Sequence, residues 1–197
     1  MEEARPATAK GEATRRRILD AAFAEFAAHG IAGSRVDRIA AAAETNKAQL
    51  YAYFGSKAKL FDAVFFASMR RILDDAPIDP DHLGDWAVRL YDDYLTHPEL
   101  VRLALWHRLE RRPHGLLVEE HERLDEAKLN GITAAQRAGQ VRRADPFDVM
   151  ALVIAMSHAW SPASTVWAAS PDEPERVHDA RRTLLRDTVT AAVASDG

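Results

Sequence analysis

The chain has 197 residues, 47% of them hydrophobic and 28% charged, no cysteine and a formal net charge of −4. That length suffices for one or two domains with a full core, and the lack of cysteine excludes disulfides, thiol redox chemistry and thiolate metal sites. The longest unbroken apolar run, Val149 to Met156, is far too short to span a membrane, and no apolar run follows the opening MEEARPATAK, so a cytoplasmic protein with no membrane partner is expected. The overall negative charge argues against a nucleic-acid partner, but the charge is unevenly spread. Residues 1–60 hold ten Lys/Arg against seven Asp/Glu, and the remainder sixteen against twenty-three. A mildly basic head on an acidic body fits a DNA reader joined to a domain that does not touch DNA.

In chain order, residues 1–13 are polar and aperiodic, and a disordered tail is expected there. Thr14 is expected to cap a first helix in which Ile18, Ala22 and Phe26 form one stripe with Leu19 and Phe23 beside it; Gly30 sits where a helix C-cap glycine belongs. Arg15, Arg16 and Arg17 lie at the positive end of that helix, where cations are not favoured by the dipole, so phosphate binding is preferred for them over a structural role. From Ser34 to Lys57 the sequence reads as two short helices and a tight turn. Ser34 is expected to cap the first, with Val36, Ile39, Ala40 and Ala43 at helical spacing. Asn46 is expected to cap the second, in which Leu50 and Phe54 face the core and Lys47, Gln49, Tyr51 and Tyr53 point elsewhere. This is the helix-turn-helix plan, whose second helix enters the major groove.

Ser56 is expected to cap a fourth helix with Leu60, Phe61, Val64 and Phe65 apolar, running to about Leu73, before a Pro/Asp linker over 74–81. Asp79-Pro80 reads as a cap and first turn. Leu83, Trp86, Ala87, Leu90, Tyr91 and Tyr94 make a wide amphipathic face. Thr96-His97-Pro98-Glu99 has capping-box spacing and opens a helix that Arg111-Arg112-Pro113 ends. A charged helix is expected from about Leu116 to Ala138, closed by Gly139. Asp145-Pro146 starts a helix apolar on two faces, expected to extend to about 168 with a kink or break at Pro162. Asp172 and Glu175 stand at capping-box spacing before a last helix over about 174–193. No strand alternation is visible, so the chain reads as all-α: a three-helix helix-turn-helix domain over 14–57 and a helical body over 58–197.

LYAYFGSK after a capped turn, preceded by RIAAAA and a first helix TRRRILDAAFAEFAAHG, resembles the DNA-binding domain of the TetR family of transcriptional regulators. The resemblance covers roughly Thr14 to Phe65. Two departures stand out: Glu44 occupies a position where a turn glycine is common in the family, and Asp37 one where a basic residue is frequent. The resemblance implies a homodimer, with the helices at about 146–168 and 174–193 forming a four-helix bundle across a two-fold axis; a helix apolar on two faces needs such a second packing surface in any case. It also implies a double-stranded DNA operator and a small-molecule effector. By the same mapping Ser34, Arg35, Lys47, Ala48, Gln49, Tyr51, Tyr53 and Lys57 are the expected DNA contacts. Gln suits adenine and Lys suits guanine, and one of the two tyrosines is expected to be half-buried packing instead. The effector is expected to be a hydrophobic small molecule in the bundle, lined from among Phe65, Phe66, Trp86, Tyr91, Tyr94 and Trp106 with His107 and His158 as polar handles, against the plainer reading of these aromatics as core.

The expected function is therefore a ligand-responsive repressor with no cofactor. An alternative is a helical small-molecule-binding protein whose DNA head is degenerate, with Asp37 and Glu44 as its signs. A third is a carboxylate metal enzyme, for which Glu175-x-x-His178 supplies half a signature. No second ExxH, no HExxH, no GxSxG and no Gly-rich phosphate loop is present, so neither catalytic nor metal-binding residues are expected.

Overall fold

Alanine-rich stretches with apolar residues three and four apart favour helix over strand throughout. The computed structural model describes residues 9–75, 77–111 and 121–195; among them are nine α-helices and no β-strand, only an isolated bridge between Val141 and Ala194. The helices are α1 (Ala9–Gly33), α2 (Val36–Ala42), α3 (Lys47–Phe54), α4 (Lys57–Asp75), α5 (Leu83–Thr96), α6 (Pro98–Arg111), α7 (His121–Arg137), α8 (Pro146–Ser157) and α9 (Glu175–Val193), with a single 3-10 turn, His158–Trp160, after α8. The fold is all-α, a helix-turn-helix head on a helical body.

Two cores result. The head core gathers Ile18, Ala22 and Phe26 of α1, Ile39 and Ala40 of α2, Leu50 and Phe54 of α3, and Leu60, Phe61, Val64, Phe65 and Met69 of α4. It thus runs well past residue 57, and Leu103 of α6 is buried in it too. The body core is built around α5, whose Leu83, Trp86, Leu90, Tyr91 and Tyr94 pack with Val149, Met150 and Val153 of α8 and Leu185, Val189 and Val193 of α9. Each fully buried side chain of this size is worth about 1.5–3 kcal/mol over exposure. Gly84 lets α5 and α9 approach: a Cβ there would lie 2.5 Å from Thr190 Oγ1 and 2.8 Å from the Arg186 carbonyl.

α6 joins the two cores, with Leu103 in the head and Val101 in the body. Its C-terminal end is fastened to α1 where that helix breaks. Gly30 is left-handed (φ 68°), and a Cβ on it would meet Glu110 Oε1 at 2.5 Å and the Trp106 ring at 2.9 Å. The break frees two backbone donors, and Glu110 accepts from both, Ile31 N–H and Ala32 N–H, at 2.8 Å each. Arg111 donates to Asp62 of α4 at 2.7 Å.

Several expected helix signals act differently. α1 begins by Ala9, so Thr14 is not its cap and residues 9–13 are helical, while 1–8 lie outside the described residues; the Thr14 hydroxyl donates back to the Lys10 carbonyl at 3.0 Å. Ser34 does not cap α2, which starts from Arg35 without a side-chain cap; its hydroxyl donates to the Ile31 carbonyl. Thr96 ends α5 and donates to the Asp92 carbonyl instead of opening α6. Asp79 closes a turn on His82 rather than capping α5, and α9 starts after Pro174 without help from Asp172. The helix expected to reach 168 stops at Ser157 and the 3-10 turn, and Pro162 lies in the following loop. The expected start of α7 near Leu116 and the Arg112-Pro113 stop lie outside the described residues.

Candidate nucleic-acid interface

α3 is fixed at both ends of its short length. Asn46 accepts from the Gln49 N–H at 2.8 Å, the cap that its residue type foretells. Leu50 is fully buried and Phe54 nearly so, and Gly55 (φ 74°) closes the helix. With that face locked, Lys47, Ala48, Gln49, Tyr51 and Tyr53 are all exposed. The two tyrosines are 41% and 38% exposed, and the Tyr53 ring lies 6.3 Å from that of the core residue Phe54, so Tyr53 is the member of the pair that also packs. The turn before α3 is made by Glu44 in the left-handed region (φ 52°), the position where glycine would be at ease.

The polar groups of this face are tied to one another. Lys47 Nζ lies 2.7 Å from Asp37 Oδ1. The Thr45 hydroxyl donates to Gln49 Oε1 at 2.6 Å. Lys57 donates to the Ser34 carbonyl at 2.7 Å and the Ala32 carbonyl at 3.4 Å, covering the carbonyls that end α1. Ser34 itself is 5% exposed with its hydroxyl turned to Ile31. Arg35 is exposed, and its N–H donates to Glu25 Oε1 at 2.8 Å. Glu25 also holds the Arg38 guanidinium, Nε to Oε1 at 2.8 Å. Burial pushes the Glu25 carboxyl up, but Arg38 and the Arg35 N–H outweigh it and hold it below the usual carboxylate range. Among the α1 arginines, all three exposed, Arg17 donates to the Ala43 carbonyl at 3.2 Å and the Arg15 guanidinium lies over the Phe54 ring at 5.6 Å. Glu25 and Glu110, the two carboxylates that organise the head, went unread in the sequence. Their partners are distant or are backbone N–H groups, and neither leaves a spacing signal.

The residues expected to line a ligand pocket fall into separate groups. Phe65 stacks on His107 at 4.3 Å between α4 and α6, with Phe61 beside them, and Trp106 packs on Gly30; these belong to the head and its junction. The His107 imidazole is depressed by burial and by Arg111. Trp86 is core, 1% exposed. In the body, Tyr94 stacks on His158 at 4.2 Å, and burial depresses that imidazole to about 4. Tyr91 and Tyr94, with Leu95, Trp160, Ser161, Pro162 and Ala169, line a cleft of about 10 Å³, room for about one water. Beside it the fully buried His178 bonds the Tyr91 hydroxyl through Nδ1 at 2.7 Å. His178 therefore faces inward while Glu175 faces out to Arg182. The ExxH spacing does not bring the two to one point, and among the described residues no group of three or more His, Cys, Asp or Glu converges as a metal site.

A family model described as bacterial regulatory proteins, tetR family, matches residues 18–64, and one described as tetracyclin repressor-like, C-terminal domain, matches residues 82–190. The HTH-type transcriptional repressor SCO4008 of Streptomyces coelicolor is 38% identical over 190 residues, covering 92% of this chain and 93% of that one. The HTH-type transcriptional repressor NicS of Pseudomonas putida is 30% identical over 142 residues, 68% of this chain and 66% of its own. Among solved structures, the transcriptional regulator SCO4942 of S. coelicolor superposes with a TM-score of 0.74 at 36% identity, over 91% of this chain and 98% of that chain. Head, body and their order along the chain agree with both family models, and the chain belongs to the TetR family of bacterial transcriptional regulators.

Proposed function

We propose that the protein is a homodimeric repressor that occupies a two-fold-symmetric operator through α3 and leaves it when a small hydrophobic effector is taken up in the body. One observation carries this reading: α3 buries Leu50 and Phe54 and leaves Lys47, Ala48, Gln49, Tyr51 and Tyr53 exposed on a capped, rigid helix. Gln49 and Lys47 carry the donors that adenine and guanine edges accept, while the tyrosine hydroxyls, Arg35 and Lys57 serve phosphates. Ser34 contributes by accepting Lys57 on its carbonyl rather than through its hydroxyl. One short helix reads few bases, so two copies are needed, a DNA turn or a multiple of it apart. The two similar repressors, SCO4008 and NicS, support repression as the output, and a regulator of bacterial DNA works in the cytoplasm.

Leu152 of α8 and Leu184 of α9 are 62% and 58% exposed in the single chain, which favours these helices as the dimer contact. An effector would enter at the Tyr91–Tyr94–Trp160 cleft and select conformations in which it is open; DNA affinity then falls by the differential affinity of effector for the two states. Selection of duplexes from a random pool with the full-length protein tests the reading. A two-fold motif with half-sites about ten base pairs or more apart is expected. A pool that remains random after repeated rounds overturns it.

A further inference from the structure

Four cations lie within the helix-turn-helix motif, and three of them are engaged away from its reading helix or outside it. Arg38 is held by Glu25, Lys57 by the carbonyls that end α1, and Arg35 precedes α2. Lys47, the first residue of α3, is the one on the reading helix itself, and it does not stand alone. Asp37 of α2 lies 2.7 Å from its ammonium, with both side chains more than half exposed, 54% for Lys47 and 57% for Asp37. A carboxylate so placed is out of keeping with a surface that must approach phosphates. An exposed ion pair contributes little to folding, so stability does not account for it.

The chemistry of a base pair does. In the major groove a guanine presents O6 and N7 as acceptors, and its cytosine presents the N4 amino donor. O6 and N4 are hydrogen-bonded to each other, so they lie about 2.9 Å apart. The Lys47–Asp37 pair offers a donor head and an acceptor head at nearly the same separation, 2.7 Å. The ammonium can donate to O6 and N7 while the carboxylate accepts from N4, and neither charge is left facing its like. Resting on the proposal that α3 enters the groove, we infer that Asp37 and Lys47 act as one unit that reads a single G·C base pair in each half-site, with Asp37 a specificity-determining residue. Non-specific DNA has no such compensation. It offers Lys47 a phosphate and at the same time brings that phosphate against the Asp37 carboxylate. Because non-specific binding is nearly all phosphate attraction, Asp37 weakens it, and the ratio of specific to non-specific affinity rises.

The test uses full-length wild type and D37N on the duplex selected by wild type, on copies with each G·C pair of the half-site reversed to C·G, and on a scrambled duplex, by fluorescence anisotropy. Reversal places the amino donor before Lys47 and the acceptors before Asp37. Wild type is expected to lose about ten-fold or more in affinity at one such position. D37N keeps Lys47, which still prefers the guanine acceptors, but its amide can turn either an acceptor or a donor to the pair. It is expected to lose about three-fold or more of that discrimination at that position alone, and to bind the scrambled duplex about five-fold more tightly than wild type, following the loss of one close like charge. Asp37 is exposed, so D37N should melt with wild type, and D37S serves as a second carboxylate-free variant. The inference is overturned if D37N discriminates at every G·C position as wild type does, or loses discrimination evenly across the half-site, or leaves scrambled-duplex affinity unchanged. Should wild type select no motif, the reading of α3 as a DNA reader falls first, and this inference falls with it.

Discussion

Glu44 holds the turn between α2 and α3 at φ 52°, where a side chain meets its own backbone at a cost of about 1–2 kcal/mol. Glycine removes that cost but gives back part of it through a freer unfolded chain. Glu44→Gly is therefore expected to stabilise by about 0.5–1 kcal/mol net, read as a rise of a few degrees in melting temperature; a fall would mean that the carboxylate has a role the turn geometry hides. His158 supplies a pH signature. Its folded pKa is pushed down by burial to about 4 from an ordinary 6.5, so between these values the unfolded chain binds the proton that the folded one refuses. Its contribution is fully present above pH 6.5 and is lost as pH falls towards 4, on the order of 3 kcal/mol. His158→Phe, which keeps a ring against Tyr94, should flatten that limb of a urea-stability profile, and an unchanged slope would place the titration elsewhere. Residue-level signals in the sequence were of mixed worth. Asn46, Ser56 and Asp145 accept from N–H groups as their types foretell. Thr14 and Thr96 instead bond back to the carbonyl four residues earlier, an alternative open to any hydroxyl on a helix and unmarked by spacing.

At the scale of elements, α6 does what no periodicity reveals. Its apolar residues divide between two cores, and its last turn grips the broken end of α1 through Glu110. Removing that carboxylate leaves two backbone donors with only water as partner, a cost of about 1–3 kcal/mol. Glu110→Ala should raise hydrogen exchange at Ile31 and Ala32 and loosen the head relative to the body, so that DNA affinity weakens while helix content holds. Unaltered exchange at those two amides would show that the contact is dispensable. Helix existence was legible almost everywhere, because apolar stripes such as Ile18/Ala22/Phe26 and Leu83/Trp86/Leu90 are carried by 3.6-residue spacing itself. Ends were not: the stretch after Ser157 is apolar enough to read as helix, yet a 3-10 turn and the loop containing Pro162 stop it. The pocket was legible least. Phe65 with His107 and Tyr94 with His158 are both aromatic–imidazole stacks, but they sit in different cores, and one sequence stripe cannot show which core it will join.

For the whole molecule, the exposed Leu152 and Leu184 mark the proposed two-fold contact. Charging both, as L152E with L184E, places like charges on a surface that must be desolvated twice in a symmetric dimer. The double variant is expected to sediment as a monomer at micromolar concentration with its helix content intact, and to lose DNA affinity because a single α3 reads half a site. A dimer of wild-type size would move the interface elsewhere. The charge asymmetry between residues 1–60 and the rest was the earliest sign of a two-part chain, and the fold has the same division, a helix-turn-helix head on a helical body.

The proposed function rests on the exposed face of α3, presented twice, reading DNA. It is tested most directly by fluorescence anisotropy of wild type and of K47A/Q49A on the duplex selected by wild type, across a salt series. Saturation at two protomers per duplex is expected, with a steep salt slope and an affinity loss of about ten-fold or more in the variant, its dimer and melting behaviour unchanged. Equal affinity of wild type and variant for that duplex would contradict it.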